Sequence, residues 1–174
     1  NNWRKEVLAT YKAHRKGVRK PLAYAAVKQY VIDVYRSEMI ETLEGDDVLG
    51  LLATGWKNID DPIVVSTDKD MLTLPCKHYN PRKPEAGIKV VSEEEADYNH
   101  LMQALVGDKA DGYAGCPGVG PVTAEKLLKS DEDHWTSVVG AYEKKGLTEE
   151  DALVQAQIAR ILRQERRLPT RRDS

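Results

Sequence analysis

The chain has 174 residues, 41% hydrophobic and 31% charged, with a net charge of −2, which suits one domain or one domain with a small appendage. No run approaches the roughly 18–20 apolar residues of a membrane span, and the opening NNWRKEVLAT has basic charge without the apolar stretch of a secretory signal. Cys76 and Cys116 lie far apart, and His14, His78, His100 and His134 lack ligand spacing, so a disulfide framework and zinc chemistry are not expected and a reduced, cytoplasmic setting is.

Residues 2–15 read as a basic helix or helix-like arm. Pro21 can open the next helix, where Leu22, Ala25, Ala26, Val27, Tyr30, Val31, Val34 and Tyr35 recur at helical spacing. MIETL (39–43) reads as a short strand. Asp46 or Asp47 then starts a helix that Gly55 can end. PIVVST (62–67) reads as a buried strand, and 76–80 and 88–92 as two more joined by a Pro/Gly turn. Ser92 with Glu95 has capping-box spacing for a helix running to about Val106. Helices over roughly 121–129, 134–146 and 148–166 follow. Strands alternating with helices predict a parallel or mixed sheet, with a helical region beside it.

Charge is unevenly spread. Residues 1–30 hold eight Lys/Arg and one Glu, a net +7, whereas residues 31–111 hold eight Lys/Arg against 17 Asp/Glu, a net −9. Basic groups attract a polyanion; clustered acids repel it unless cations sit among them.

The acids fall in three clusters: Glu44, Asp46 and Asp47 in LEGDD; Asp68 and Asp70 in STDKD; Asp108 and Asp111 in GDKAD. The first two follow candidate strands, where ligand sites of open α/β sheets gather. Asp68 and Asp70 converge if the extended conformation continues past Ser66. Asp108 and Asp111 share a face if their segment is helical. Seven carboxylates in one pocket call for hard divalent ions, best Mg²⁺ or Mn²⁺. Two such ions are a recurrent device for phosphodiester hydrolysis. Helix capping is the plain alternative for Asp46 and Asp47, and a lone DxD is weak.

Residues 112–128, GYAGCPGVGPVTAEKLL, carry Gly118, Gly120, Pro121 and Ala124 in the pattern of a helix-hairpin-helix. Its glycines permit a tight turn, and the N–H groups at the helix start can hold a phosphate oxygen. Thr123 and Lys126 add candidate contacts. The motif predicts grip on the backbone of DNA rather than base readout. In the basic arm, Lys12, Arg15, Lys16, Arg19 and Lys20 interleave with Tyr11. Such groups can bind phosphates or stabilise charge that develops during hydrolysis.

In order, YKAHR, LEGDD, STDKD, GDKADGYAG and PGVGPVTAEKLL resemble the flap-endonuclease/5′→3′ exonuclease superfamily, and NWRKEV, LEGDDV, DGYAG and QIARILR look most like the small bacteriophage 5′→3′ exonucleases. The resemblance implies an α/β, PIN-like nuclease domain over 1–104 with a helical arch at 2–20. A helical region containing the helix-hairpin-helix would cover 105–174. It implies that Glu44, Asp46, Asp47, Asp68, Asp70, Asp108 and Asp111 bind metal, and that Lys12 and Arg15 are the catalytic basic pair. It also implies a K⁺ on backbone oxygens around Gly118–Pro121. The implied reaction is metal-assisted hydrolysis from a 5′ end of duplex or flapped DNA, or of RNA in an RNA–DNA hybrid, in replication or repair inside a bacterial host. The family begins with a strand bearing a further metal-binding Asp, and NNWRKEV already lies near the arch, so an N-terminal portion is expected to be missing. The competing readings are a DNA-binding module that does not cleave and a small-molecule phosphohydrolase built on the DxD.

Overall fold

The computed structural model describes residues 2–130 and 133–164. Contacts divide the chain into two compact units. One comprises the residues up to Glu44 with Leu101–Ala159; the other comprises Gly45–His100 and the residues from Arg160 onward.

The second unit carries the sheet. Strands β1 (Ile63–Val65), β2 (Lys77–Tyr79) and β3 (Ile88–Val90) lie in that order. β1 and β2 are parallel, with Val64 opposite His78, and β2 and β3 are antiparallel, with His78 opposite Lys89. The sheet is therefore mixed, one of the two arrangements the sequence predicts. β1 departs from its expected burial on both faces: Val64 is buried, while Ile63 and Val65 are exposed. Helix α3 (Gly45–Ala53) packs on β1. The core here is Val64, Met71, Leu74 and Ile161, with Ala53 and Cys76 against it. Arg163 ties this unit together, its guanidinium donating to Asp97 Oδ1 at 2.7 Å and to the Thr73 carbonyl. Helix α4 (Glu93–Val106) starts as expected, the Glu95 N–H donating to Ser92 Oγ at 3.1 Å.

The first unit is helical among its described residues. It holds α1 (Arg4–Val7), α2 (Tyr24–Val34), α5 (Pro121–Lys129), α6 (His134–Glu143) and α7 (Glu149–Ala159). α5 packs on α6, α6 on α7, and α7 on α1. Tyr11, Tyr113, Ile158 and Ala159 form one core cluster, with Val7 and Leu8 against it. Tyr142 is buried and donates its hydroxyl to the Ala104 carbonyl at 2.7 Å.

Three expectations need correction. The arm over 2–15 is one short helix and a 3-10 turn at Ala13–Arg15. It is interrupted at Lys12, whose φ of 50° is left-handed. The expected strand at 39–43 is absent among the described residues; Thr42 has a φ of 70°, which extended pairing does not permit. The last helix ends at Ala159 rather than near 166, because the following residues run past α3. There the Leu162 N–H donates to Asp47 and the Gln164 N–H to Thr54 Oγ1. Residues 165–174, including most of the basic tail, lie outside the described residues. α2 forms over the expected stretch, yet none of its residues is buried.

Candidate active site and nucleic-acid interface

In the first unit, two acids 67 positions apart in sequence share partners. The Tyr11 hydroxyl lies 2.9 Å from Glu44 Oε2 and 3.3 Å from Asp111 Oδ2. The Lys12 ammonium lies 2.9 Å from Glu44 Oε1, 3.0 Å from Oε2 and 3.4 Å from Asp111 Oδ2. Arg15 reaches Asp111 Oδ1 at 2.9 Å and the Ala110 carbonyl at 2.7 Å. Arg4 Nη1 stands 3.5 Å from Glu44 Oε2 while its Nε–H donates to the Ile158 carbonyl.

Local backbone explains the convergence. The Lys12 N–H donates to the Asp111 carbonyl at 2.8 Å. That approach needs Gly112, where a Cβ would sit 3.1 Å from the Thr10 carbonyl oxygen and where φ is +81°. The left-handed Lys12 costs on the order of 1 kcal/mol and turns its side chain onto the acids. Burial and the two neighbouring carboxylates push the Tyr11 hydroxyl well above its ordinary pKa, so it remains a donor.

The segment expected to align Asp108 with Asp111 on a helix is instead a turn closed by a bridge between Asp108 and Tyr113. Asp108 Oδ1 accepts from the N–H of Ala110 and of Asp111, at 2.6 and 3.2 Å. Asp108 therefore shapes the loop that presents Asp111.

In the second unit, Asp47 is wholly buried, and its Oδ1 accepts from the Leu162 N–H at 3.2 Å. Asp46 is half-buried in the first turn of α3. β1 ends at Val65, so the alternation that would align Asp68 with Asp70 does not operate. Asp68 instead caps the 3-10 turn Lys69–Thr73, its Oδ1 accepting from the Asp70 N–H at 2.9 Å. Among the described residues, no group of three or more His, Cys, Asp or Glu is arranged to hold a metal ion. The donor chemistry nevertheless suits a hard cation: the acids offer only oxygen, and Glu44 with Asp111 meet on one cationic group. Mg²⁺ commonly uses one or two carboxylates and keeps its waters.

The hairpin turn has Gly118 at φ +74°, with Lys145 Nζ 3.6 Å from where a Cβ would sit. Gly120 is the N-cap of α5 in extended conformation, with open space around it. Pro121 is the first helical residue and Ala124 is buried. Thr123 and Lys126 are exposed, as are Lys16, Arg19 and Lys20. Tyr11 differs from the outward-facing contact the sequence suggests, being 2% exposed. The sequence places Arg4 only among the basic residues of the arm, not as the buried cation behind Glu44, and does not show the crossing of Gly107 with Gly115. A Cβ at Gly115 would lie 2.4 Å from the Gly107 nitrogen. Two glycines flanking an acidic loop were the available signal for that crossing; nothing marked Arg4 among its basic neighbours.

Cys76 and Cys116 are free. Burial pushes the Cys76 thiol up to about 11, and His78, buried against the Leu74 carbonyl, is held below its ordinary 6.5 mainly by desolvation. No helix among the described residues is long and apolar enough to cross a membrane.

A small mixed sheet with a helix packed on it is an α/β arrangement. A bacteriophage T5 protein co-crystallised with metal ions matches 90% of this chain and 69% of its own, with a TM-score of 0.63 at 17% identity. A pseudo-enzyme–product complex of the T5 flap endonuclease with DNA and metal ions gives 0.62. At that identity the likeness establishes the shared fold. The family model for the 5′-3′ exonuclease N-terminal, resolvase-like domain matches residues 1–104, and the chain belongs to that family. The exonuclease of Escherichia phage T7 is 33% identical over 204 aligned positions, covering 93% of this chain and 65% of the relative. The flap endonuclease Xni of Shewanella halifaxensis is 33% identical over 142 positions, covering 74% and 55%. The chain thus spans less than two thirds of these relatives' length.

Proposed function

We propose that this chain is the core of a divalent-metal-dependent, structure-selective 5′-nuclease. It would hydrolyse phosphodiesters from 5′ ends of duplex or flapped DNA, or of RNA in an RNA–DNA hybrid. One observation carries the reading beyond family membership: Glu44 and Asp111 meet beside Lys12 and Arg15. Carboxylates next to a basic pair are what phosphoryl chemistry with a hard cation requires.

Glu44, Asp108 and Asp111 are the proposed metal-binding acids of one unit, and Asp46, Asp47, Asp68 and Asp70 those of the other, with Mg²⁺ or Mn²⁺ as the ion. A bound divalent ion supplies positive charge to the phosphate and lowers the pKa of a water that attacks it. Lys12 and Arg15 bring positive charge to the phosphate whose charge grows as the bond breaks. While paired with the acids they are held in place for that role. Lys16, Arg19 and Lys20 on the arm are proposed to track the DNA backbone. Gly118, Gly120, Thr123 and Lys126 are proposed to hold it at the hairpin, where a K⁺ on backbone oxygens would fit the family pattern. Inside a bacterial host, such an enzyme would act in replication or repair.

The lack of a three-acid group among the described residues favours a second reading, a DNA-binding module that does not cleave. Cleavage separates the two. Mg²⁺-dependent release of label from a 5′-labelled duplex is expected for the chain and not for its Asp68→Ala/Asp70→Ala variant. Equal release by both would refute the assignment of those acids. Duplex binding in Ca²⁺ without release in Mg²⁺, by the chain and by a version extended at its N-terminus, would establish the binding module.

A further inference from the structure

We propose that Tyr11 is a positioning residue whose buried hydroxyl holds the Glu44 and Asp111 carboxylates in the relative placement a divalent ion needs. The proposal rests on the metal-dependent reading above.

Two carboxylates at one place repel each other, so something must keep them from swinging apart. The Tyr11 hydroxyl is within hydrogen-bonding distance of one oxygen from each, Glu44 Oε2 at 2.9 Å and Asp111 Oδ2 at 3.3 Å. The other oxygen of each acid faces a cation: Glu44 Oε1 meets Lys12 at 2.9 Å, and Asp111 Oδ1 meets Arg15 at 2.9 Å. Lys12 also reaches Glu44 Oε2 at 3.0 Å and Asp111 Oδ2 at 3.4 Å, so the Tyr11 hydroxyl is the uncharged partner that the two acids share among cations.

The mount is rigid. The Tyr11 ring packs with Tyr113, Ile158 and Ala159, and with Val7 and Leu8, whereas Lys12 and Arg15 reach the acids on flexible stems. A phenol also carries no charge, so it orients the acids without competing with a metal ion for them. Groups that orient metal ligands from behind set affinity as well as geometry. Tyr11 thus acts through Glu44 and Asp111. This role differs from stacking on or contacting nucleic acid, which its burial opposes.

The test is Tyr11→Phe, which keeps the ring and removes the donor. Mn²⁺ binding to the DNA-free protein, followed by electron paramagnetic resonance, is expected to weaken about tenfold. The variant should remain folded by circular dichroism, and kcat should fall with KM for duplex DNA unchanged. Wild-type Mn²⁺ affinity in a folded Tyr11→Phe protein overturns the proposal, as does a rise in KM alone. If the wild-type chain binds no Mn²⁺, the metal-dependent reading itself fails. The clamp is then decided by a double-mutant cycle of Tyr11→Phe with Asp111→Asn in urea unfolding. Non-additive effects support it, and additive effects overturn it.

Discussion

Gly107 and Gly115 show how little room single residues have here. Each has a positive φ, and a Cβ on Gly107 would sit 2.3 Å from the Ala114 carbonyl carbon. No flexible side chain can yield at that contact, because the neighbour is backbone. Gly115→Ala is expected to cost on the order of 3 kcal/mol in urea unfolding. Gly120→Ala, with open space around it, should cost about 1 kcal/mol or less. Equal losses would show the crossing to be looser than described. His78 gives a pH-dependent counterpart. Burial lowers its pKa from 6.5, so the unfolded chain takes up a proton first as pH falls. Its contribution is fully present above 6.5 and is lost as pH drops through the lower folded value. Stability should therefore decline as pH falls below 6.5, and His78→Gln should flatten that slope while lowering stability throughout. An unchanged slope in the variant would assign the decline to other groups.

Among the elements, α3 and α4 owe their starts to different chemistry. Ser92 caps α4 through a local hydrogen bond, and its spacing from Glu95 was readable in sequence. Ser92→Ala should cost about 1 kcal/mol, seen as a lower unfolding midpoint with no change in helix content. Asp47, at the start of α3, looked like either a cap or a metal ligand. The fold buries it and gives it the N–H of Leu162, 115 residues away. Asp47→Ala should cost about 1–3 kcal/mol, since it removes a buried acceptor and takes the Asp47 partner from the half-buried Leu162 N–H. A fall in Mn²⁺ affinity with little loss of stability would show that the ligand role proposed for Asp47 outweighs its structural one. The strand expected at 39–43 does not form because Thr42 takes a positive φ, which no composition rule announces.

For the whole chain, the uneven charge is the property that reaches a partner. The arm carries its cations exposed at Lys16, Arg19 and Lys20, while Lys12 and Arg15 are committed to acids. Duplex affinity should fall steeply with salt. Each of Lys16→Ala, Arg19→Ala and Lys20→Ala should reduce the slope of log affinity against log salt by about 0.9 where the residue meets a phosphate. Slopes unchanged in all three variants would remove the arm from the binding surface.

The residues alone determined the family pattern, the helix starts at Ser92 and Pro121, an α/β class with a parallel or mixed sheet, and the set of acids worth testing. These are legible because capping, periodicity and motif spacing act over a few residues of contiguous chain. Tertiary structure decided which acids meet. Glu44 and Asp111 come together because Gly112 admits Lys12 to the Asp111 carbonyl. Asp47 turns inward to a distant N–H, while Asp68 and Asp108 bend back onto their own turns. Those outcomes depend on contacts between residues far apart in sequence, and on backbone approaches that a side chain of ordinary size would block.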